Sequence, residues 1–554
     1  MSLNNVKYTS ILPMGKTGSY TENQKCQFRI PSDIAYIDGR QSYIYIECEN
    51  TSTMKNSSTG VAVASDVVPV MLQPHVGVSS LVRRVQLTTN SGVELEDIDN
   101  YNTYVGLLNS YTHDADEYQS MGLVEGVSGH SPIADNRTVT NPNNNYWIPP
   151  ALASNGTGGD TNLTASFCMP IHLGLFSGLG KNNEKQAYPN LPIGGSIMNL
   201  YLEQAKVALC EQASGFYSED AQNVIERHSK NASERVAIED YSAGDTFVVV
   251  KRDVQNFNTD YNAQWSDTKS HNDVALSVYK VGMNLELWDN TPNYDETMEI
   301  ASIEKYAEQL KITFTTPLAG TVAGGFIRTH TIVPAFNISR IELRVLETVP
   351  ANPQALRVAV NRGINYTSVL LNKLSQAAQL KNSVLNIPAS MTRALSIFTC
   401  PCTQDDLETF TGGENALNSS LYPQLEDGVS YDWQYQVRQF LVPNRPVNIK
   451  NALNNENDNG IHYNQLQMAF RPLMECRCLN DAVGHVQPPL TNPVIVPILL
   501  APKGSSYRLL DSEPQLRYSS SNASDTKGKL FHIYVNHVRT LQVDPATGQV
   551  HVIM

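Results

Sequence analysis

Ser42 to Glu49 reads SYIYIECE, which sets Tyr43, Tyr45 and Glu47 on one face and Ile44, Ile46 and Cys48 on the other. Strict alternation is the pattern of a half-buried strand. Further strand candidates, rich in β-branched residues, are Leu81–Thr88, Phe247–Lys251, Val278–Trp288, Ile341–Leu346 and Phe531–Val543. Many are bounded by Gly, Pro or Asn, the residues that punctuate loops. No long helices alternate with them, so the pattern predicts an all-β chain of sandwiches rather than βαβ units.

Three stretches carry helical spacing instead. Asp97–Tyr111 stacks Tyr101, Tyr104, Val105 and Leu108; Glu299–Leu310 stacks Ile303, Tyr306, Ala307 and Leu310; His462–Met474 stacks Tyr463, Leu466, Gln467 and Phe470. Each has one apolar stripe, which predicts a short helix on a sandwich edge. The elements also repeat in order. Leu81–Thr88 leads through Asn90-Ser91-Gly92 to a helix with Tyr101-Asn102, a long loop, and Met169-Pro170-Ile171-His172-Leu173. Trp433–Val442 leads through Pro443-Asn444-Arg445-Pro446 to a helix with Tyr463-Asn464, another loop, and Val496-Pro497-Ile498-Leu499-Leu500. The offsets run from roughly 327 to 362 residues, and the shared order predicts two similar all-β domains. Asp114–Thr164, Glu211–Gly244 and Thr403–Gly428 far exceed the median connection of about 4–6 residues. They read either as mobile insertions or as surface arms on a rigid scaffold.

Composition sharpens this picture. The chain has 554 residues, 41% hydrophobic and only 17% charged, with 40 Lys and Arg against 54 Asp and Glu for a net charge of −14. Soluble domains average about 25% charged residues. The apolar content excludes a disordered chain, and the acidic balance argues against a sequence-specific nucleic-acid binder. Polarity comes from Asn, Ser, Thr, Gln and 26 Tyr. Two readings fit: turn-rich β structure, or a surface covered by other chains, whose interfaces favour Tyr and shed charge. Met1–Tyr20 is polar and holds Lys7 and Lys16, unlike a secretory signal, and Val494–Leu500 falls short of the ~20 residues a membrane helix needs. Without secretion the eight cysteines are expected to be reduced thiols. Sequons such as those at Asn136, Asn337 and Asn365 are expected by chance in so Asn-rich a chain.

Candidate chemistry is sparse. Gly15-Lys16-Thr17 resembles the end of a phosphate loop, but Ser10 stands where the first glycine belongs. Asn455-x-Asn457-x-Asn459-Gly460 resembles the opening of a calcium loop, but Leu466 replaces the bidentate Glu and the ligands are neutral, so a turn before a helix is expected. Cys400-Pro401-Cys402 and Cys476-Arg477-Cys478 supply four thiolates for tetrahedral zinc if they converge; the spacing also suits ordinary residues sharing a strand face. His113-Asp114-Ala115-Asp116-Glu117 reads as a solvated helix end. No His-Glu-x-x-His, Gly-x-Ser-x-Gly or strand-linked Gly-x-Gly-x-x-Gly occurs. The expectation is a non-enzymatic chain with no catalytic, cofactor-binding or metal residues.

Longer segments resemble a known family. The strand–turn–helix ending in Tyr101-Asn102, Tyr188-Pro-Asn-Leu-Pro-Ile193 and Ile197-Met-Asn-Leu-Tyr-Leu-Glu203 resemble the first jelly roll of double jelly-roll major capsid proteins. Tyr279-Lys280-Val281, Leu285-Glu286-Leu287, a helix at Glu299–Leu310 and a strand at Lys311–Phe314 resemble the junction between jelly rolls in virophage and polinton-like virus capsid proteins. Ile387–Phe398, Tyr435–Arg438 and Leu441–Pro446 are similar to the second jelly roll. Adenovirus belongs to the same lineage. The resemblance implies two eight-stranded jelly rolls in tandem, with short edge helices and long insertion loops. The first would cover 1–315 with an N-terminal arm and the second 316–554, the division set to within about 30 residues. It further implies a homotrimer forming a pseudo-hexameric capsomer in an icosahedral virion assembled inside the host cell. Its partners would be neighbouring capsomers, penton and minor capsid proteins, and an internal membrane toward which Met1–Tyr20 could face. Faces between chains should then be mostly neutral. On fold class alone, a two-domain β-sandwich hydrolase or bicupin and a carbohydrate-binding module are the alternatives.

Overall fold

Sixteen strands build two sandwiches with one and the same strand order. The computed structural model describes residues 7–16, 18–55, 62–63, 70–73, 76–112, 124–127, 165–178, 187–211, 236–249, 284–288, 295–306, 309–321, 326–329, 331–349, 352–376, 382–388, 391–403, 430–450, 458–473, 495–501, 505–510, 512, 514–520 and 529–553. In the first sandwich, β1 (Lys7–Ile11), β2 (Lys25–Ile30), β3 (Ile37–Asn50), β4 (Val82–Thr89), β5 (Glu94–Asp99), β6 (Ala165–Pro170), β7 (Ser196–Leu202) and β8 (Phe336–Glu347) form the antiparallel sheets β1-β8-β3-β6 and β2-β7-β4-β5. In the second, β9 (Ile364–Gln376), β10 (Asn382–Asn386), β11 (Ala394–Thr403), β12 (Ser430–Val437), β13 (Phe440–Lys450), β14 (Val496–Leu499), β15 (Gln515–Ser520) and β16 (Lys529–Val543) form β9-β16-β11-β14 and β10-β15-β12-β13. Adding eight to each strand number turns the first order into the second. Two four-stranded sheets joined in this order are a jelly roll, so the chain is a double jelly roll.

Alternation explains the packing. Ile44, Ile46 and Cys48 of β3 are fully buried, as the reading of SYIYIECE required, while Tyr43 and Tyr45 stay half-exposed on the outer face. Trp433, Tyr435, Ile397, Ile498, Leu516 and Ile533 anchor the core of the second sandwich. A second cluster fills the first sandwich and continues to Tyr366, Phe398, Phe470 and Tyr534, so the two domains share one apolar mass.

Successive strands run in opposite directions, which sends the connections to two ends. The β2–β3, β4–β5 and β6–β7 links leave from one end; the β3–β4, β5–β6 and β7–β8 links leave from the other. All three long segments expected as loops (114–164, 211–244 and 403–428) belong to links of the latter end. Two of these links are sewn together by short strands, Val70–Leu72 to Leu209–Glu211 and Thr53–Lys55 to Thr331–Val333. The 203–335 link also holds a sheet in which Asn284–Trp288, Asp295–Tyr306 and Gln309–Phe314 are neighbours.

Helices α1 (Tyr101–Thr112), α2 (Gly174–Ser177), α3 (Pro353–Arg362) and α4 (Asn459–Phe470) join strands. α1 and α4 occupy the equivalent β5–β6 and β13–β14 links, and the Tyr111 and Phe470 rings meet at 5.5 Å, so the two sandwiches point the same way. The expected helix at Asp97–Tyr111 starts later, because Asp97 and Asp99 finish β5, where they pair across to Gln86 and Arg84. α1 is also buried all round rather than along one stripe; Asn102, for example, donates to Glu203 at 3.0 Å. The expected helix at Glu299–Leu310 is instead a hairpin, with Ile303 opposite Ile312; the buried Met298 and Ile300 obey period two, and a register shift between Ile300 and Ser302 then resets the alternation. Pro443–Pro446 lies within β13, and the tight turn sits at Arg438-Gln439. Residues 7–11 of the expected free arm form β1, and Tyr20 pairs with Ile338. β8 extends the first sandwich to Glu347, some 30 residues past the 315/316 division.

Sequence reading passed over α3, though its signals are present. Asn352 accepts a hydrogen bond from the Ala355 amide at 2.9 Å, Pro353 opens the first turn, and Gly363 ends the helix at a φ of 109°. Asn352→Ala is expected to cost about 1 kcal/mol by removing this cap, and Asn352→Gly only a few tenths. Thermal unfolding of the two variants checks the ranking.

Candidate assembly surfaces

The chemistry of this chain concentrates where surfaces meet. The main meeting place is the seam between sandwiches, where the outer face of β9-β16-β11-β14 lies against β5, α1 and α2. β16 is buried on both faces: Phe531, Ile533 and Val535 point into the second core, and His532, Tyr534 and Asn536 point into the seam. Tyr534 packs on Tyr104 of α1 at 5.5 Å, and Phe398 stacks on Phe470 at 4.5 Å.

β5 is an edge strand, and a register shift leaves Leu95 as an extra residue opposite Leu87 and Thr88. Its carbonyl accepts the Tyr366 hydroxyl at 2.6 Å and the Arg539 guanidinium at 3.1 Å, both from the second sandwich. Left unpaired, a buried carbonyl costs about 1–3 kcal/mol. Arg539 also donates to Nε2 of His537 at 3.2 Å, so His537 must be neutral there, with its Nδ1 proton directed at the Val535 carbonyl 3.2 Å away. Burial, with the Arg539 charge adding to it, pushes His537 down to about 4 against the Val535 bond. Lys373 reaches Asp99 at 3.6 Å and Asn100 at 3.1 Å at the seam's margin.

Glu96 lies fully buried beside this contact. It accepts the amides of Gly174 at 2.9 Å and Leu175 at 2.8 Å at the start of α2. Burial raises its pKa to about 7; the two amides and the Arg539 charge oppose that rise. Only glycine fits at 174, since a Cβ there would lie 1.5 Å from the Thr367 carbonyl oxygen. Deeper in the second sandwich, the Trp433 indole donates to Nδ1 of His462 at 3.1 Å, and burial takes His462 down to about 3.

Several outer surfaces of the described residues stay open, two of them with clustered side chains. On β1-β8-β3-β6, Arg344 and Arg340 lie over the Tyr45 ring at 4.6 and 5.6 Å. Between them Glu342 receives Arg340 at 2.6 Å, Ser10 at 2.7 Å and Arg344 at 3.3 Å. Burial acts upward on this carboxyl, but those hydrogen bonds and charges prevail and hold it below its usual range. The other of these two is the β13 edge, where Phe440 is 70% exposed and Arg445 meets Asp458 at 2.7 Å.

The motifs singled out in the sequence do not form a reactive centre among the described residues. Lys16 lies over the Tyr20 ring at 5.2 Å in a link to β2 with no helix after it, and Thr17 lies outside the described residues. Asn459 and Gly460 open α4 and Leu466 is buried in it, whereas Asn455 and Asn457 lie outside the described residues. Cys400 is buried in β11 and Cys402 follows it in the strand; Cys476, Cys478, Asn136 and the run from His113 to Glu117 lie outside the described residues. Asn337 donates to Glu49 at 3.0 Å and Asn365 accepts from Thr540 at 2.7 Å. Among the described residues no three His, Cys, Asp or Glu are grouped to hold a metal. The seam residues Leu95, Glu96, Gly174, Tyr366 and Arg539 carry no local motif, because their partners lie far away in the chain.

No protein-family model matches the chain, and no curated protein matches it. Solved structures do match. The Faustovirus major capsid protein superposes with a TM-score of 0.50 at 10% identity, over 97% of this chain and 90% of that one. The Sputnik virophage structure gives 0.47 at 10% identity, over 100% and 88% of the two chains. The PBCV-1 virus capsid gives 0.41 at 9%, over 99% and 96%. At such identity the likeness to the Faustovirus protein is one of fold, and it spans nearly the whole chain.

Glu96 makes the seam pH-sensitive with a defined sign. Its native pKa lies above the usual carboxylate value, so its contribution to stability is complete below about pH 4.5 and is lost as pH rises through about 7, a change of about 3 kcal/mol. The buried histidines act in the opposite sense, losing stability as pH falls below about 6.5. Between pH 5 and 8 the thermal midpoint of the wild type is therefore expected to fall relative to that of Glu96→Gln. Parallel profiles for the two proteins would contradict this role.

Proposed function

We propose that the chain is the major capsid protein of an icosahedral virus and acts in the virion without catalysis. The observation that carries this reading is the tandem repeat of one eight-strand order, in a fold shared almost end to end with the Faustovirus major capsid protein. Three chains with two sandwiches each would make a six-sandwich, pseudo-hexameric tile, and tiles would meet neighbouring tiles, penton proteins and minor capsid proteins in the shell. The end that bears the long links suits the side of the tile with more room for insertions. The opposite end, with its short links, suits close contact with minor proteins or an internal membrane. We place the division between jelly rolls at 348–352, between β8 and α3.

The composition supports the same reading, since a chain with 17% charged residues has little to keep so large a surface in water alone. Static light scattering of the purified protein is expected to give three times the mass of the chain, and negative-stain images should show hexagonal particles. A stable monomer at all concentrations would overturn the proposal.

A further inference from the structure

The end of the second sandwich that matches the short-link end of the first gathers arginines from separate links. Arg393 ends the β10–β11 link, Arg438 opens the β12–β13 turn and Arg508 lies in the β14–β15 link. The Ala394 amide donates to the Tyr507 carbonyl at 2.9 Å and the Tyr507 amide to the Ala394 carbonyl at 2.8 Å, which makes an antiparallel bridge. Arg393 and Arg508 are the next pair along it, so two cations stand opposite each other. Like charges in such cross-strand positions are destabilising. Arg438 reaches the same bridge, its guanidinium 5.9 Å from the centre of the Tyr507 ring.

Counter-charge is scarce at this end. Among the described residues neither Arg393 nor Arg438 is ion-paired, and α3 adds Arg357 and Arg362. In the links of this end, α3 and the turn after β16, the one carboxylate among the described residues is Asp544. It accepts the Ala546 amide at 2.9 Å and the Thr547 hydroxyl at 2.7 Å within its own turn. Lys503, Asp511 and Glu513 of the β14–β15 link lie outside the described residues. A chain with 54 acidic against 40 basic residues thus collects unpaired arginine at one place.

Two of these arginines are placed in ways that folding alone does not favour. Arg393 is half-buried, and its guanidinium donates to the Thr540 hydroxyl, which donates in turn to Asn365 at 2.7 Å. Burial acts against the Arg393 charge and no carboxylate offsets it. Arg438 has a φ of 56°, the left-handed region, in a two-residue hairpin turn between Val437 and Phe440. Such turns favour Asn or Gly. A long charged side chain kept there at a conformational cost points to a task for that side chain.

We infer that Arg393, Arg438 and Arg508 form a binding site for a phosphate group. The site is contained in one chain and goes beyond the capsid reading. A guanidinium fork pairs bidentately with phosphate or carboxylate. A phosphate monoester carries about 1.5–2 negative charges near pH 7 and three acceptor oxygens, so it answers several forks at once where a single carboxylate does not. An anion held between Arg393 and Arg508 also removes the repulsion that their register imposes. The group belongs either to a soluble phosphate compound or to a lipid headgroup, and the chemistry of recognition is the same for both.

Calorimetric titration of the full chain with tripolyphosphate tests the site, with citrate as the carboxylate probe and circular dichroism as the check of folding. The wild type is expected to bind tripolyphosphate more tightly than citrate. Arg393→Gln and Arg508→Gln should each weaken that binding by about tenfold or more, and Arg393→Lys, which keeps the charge but not the fork, should fall between. Arg438→Asn relieves the left-handed backbone, so its loss of affinity should come without loss of thermal stability. Arg29→Gln, exposed on β2 of the first sandwich, should bind as the wild type does. No binding of tripolyphosphate, citrate bound as tightly, or unchanged affinity in Arg393→Gln, Arg508→Gln or Arg438→Asn would overturn the site. Affinity lost through Arg29→Gln would overturn it too. Flotation with phosphatidylcholine vesicles, with and without phosphatidic acid, then identifies the source. Attachment that needs both phosphatidic acid and Arg393 assigns the group to a lipid headgroup, and any other pattern assigns it to a soluble phosphate. Light scattering of the same samples reports the trimer separately, so failure of this site leaves the capsid reading standing.

Discussion

A sandwich of two sheets always leaves edge strands with backbone groups that no neighbouring strand takes up. In this chain that constraint organises the middle of the molecule. The bulged Leu95 on the β5 edge can be buried only because Tyr366 and Arg539 reach its carbonyl from the second sandwich. Everything near it follows from that reach. Arg539 fixes the tautomer of His537, Glu96 ties α2 to β5, and Gly174 is confined to the residue without a side chain. The second sandwich is thereby docked through polar contacts with fixed geometry, while the aromatic rings of Tyr104, Tyr534, Phe398 and Phe470 fill the remaining space.

How much of this was legible beforehand differs by range. Strands with one buried face announce themselves through period two, as Ser42–Glu49 does, whereas Phe531–Val543, buried on both faces, was legible from its run of β-branched and aromatic residues. The repeated order of strand, helix, loop and Pro-Ile strand was legible because it survives as pattern where sequence identity does not. The helix around Tyr463 was found, but Glu299–Leu310 was misread, since a run of Ile, Tyr and Leu satisfies helical spacing and alternation alike and its hairpin partner decides the outcome. α3 carried a cap, a proline, a terminal glycine and a short apolar stripe of Leu356, Ala359 and Val360 that packs on the core, and the reading passed over all of these signals. The seam was beyond reach: Leu95 and Tyr366 are 271 residues apart, and nothing local in either segment names the other. The open face was half visible, as the alternation of Tyr43 and Tyr45 showed which way they point but not the arginines of β8 that would lie over them.

The low charge content now has a structural distribution. Where charged groups enter contacts they come with partners, as Glu342 does with Arg340 and Arg344 or Asp99 with Lys373. Buried ionisable groups outside such ion pairs, such as His462 and Glu96, have their charged forms disfavoured by burial. A chain that hides much of its surface can keep few free charges, because each ion taken out of water needs a counter-ion or a proton.

The position of β16 in the chain sets an order of events during synthesis. The first sandwich is complete once β8 has been made, and its strands can pair while the rest is still emerging from the ribosome. The second sandwich lacks the centre of one sheet until β16 arrives, after every other sandwich strand. That strand also supplies Tyr534 and Arg539 to the seam. Closure of the second domain and docking of the two domains thus wait on one stretch of fifteen residues. A chain interrupted before Lys529 would present a finished first domain with an uncovered β5 edge, so the same strand that completes the fold also withholds the docking surface from any unfinished copy.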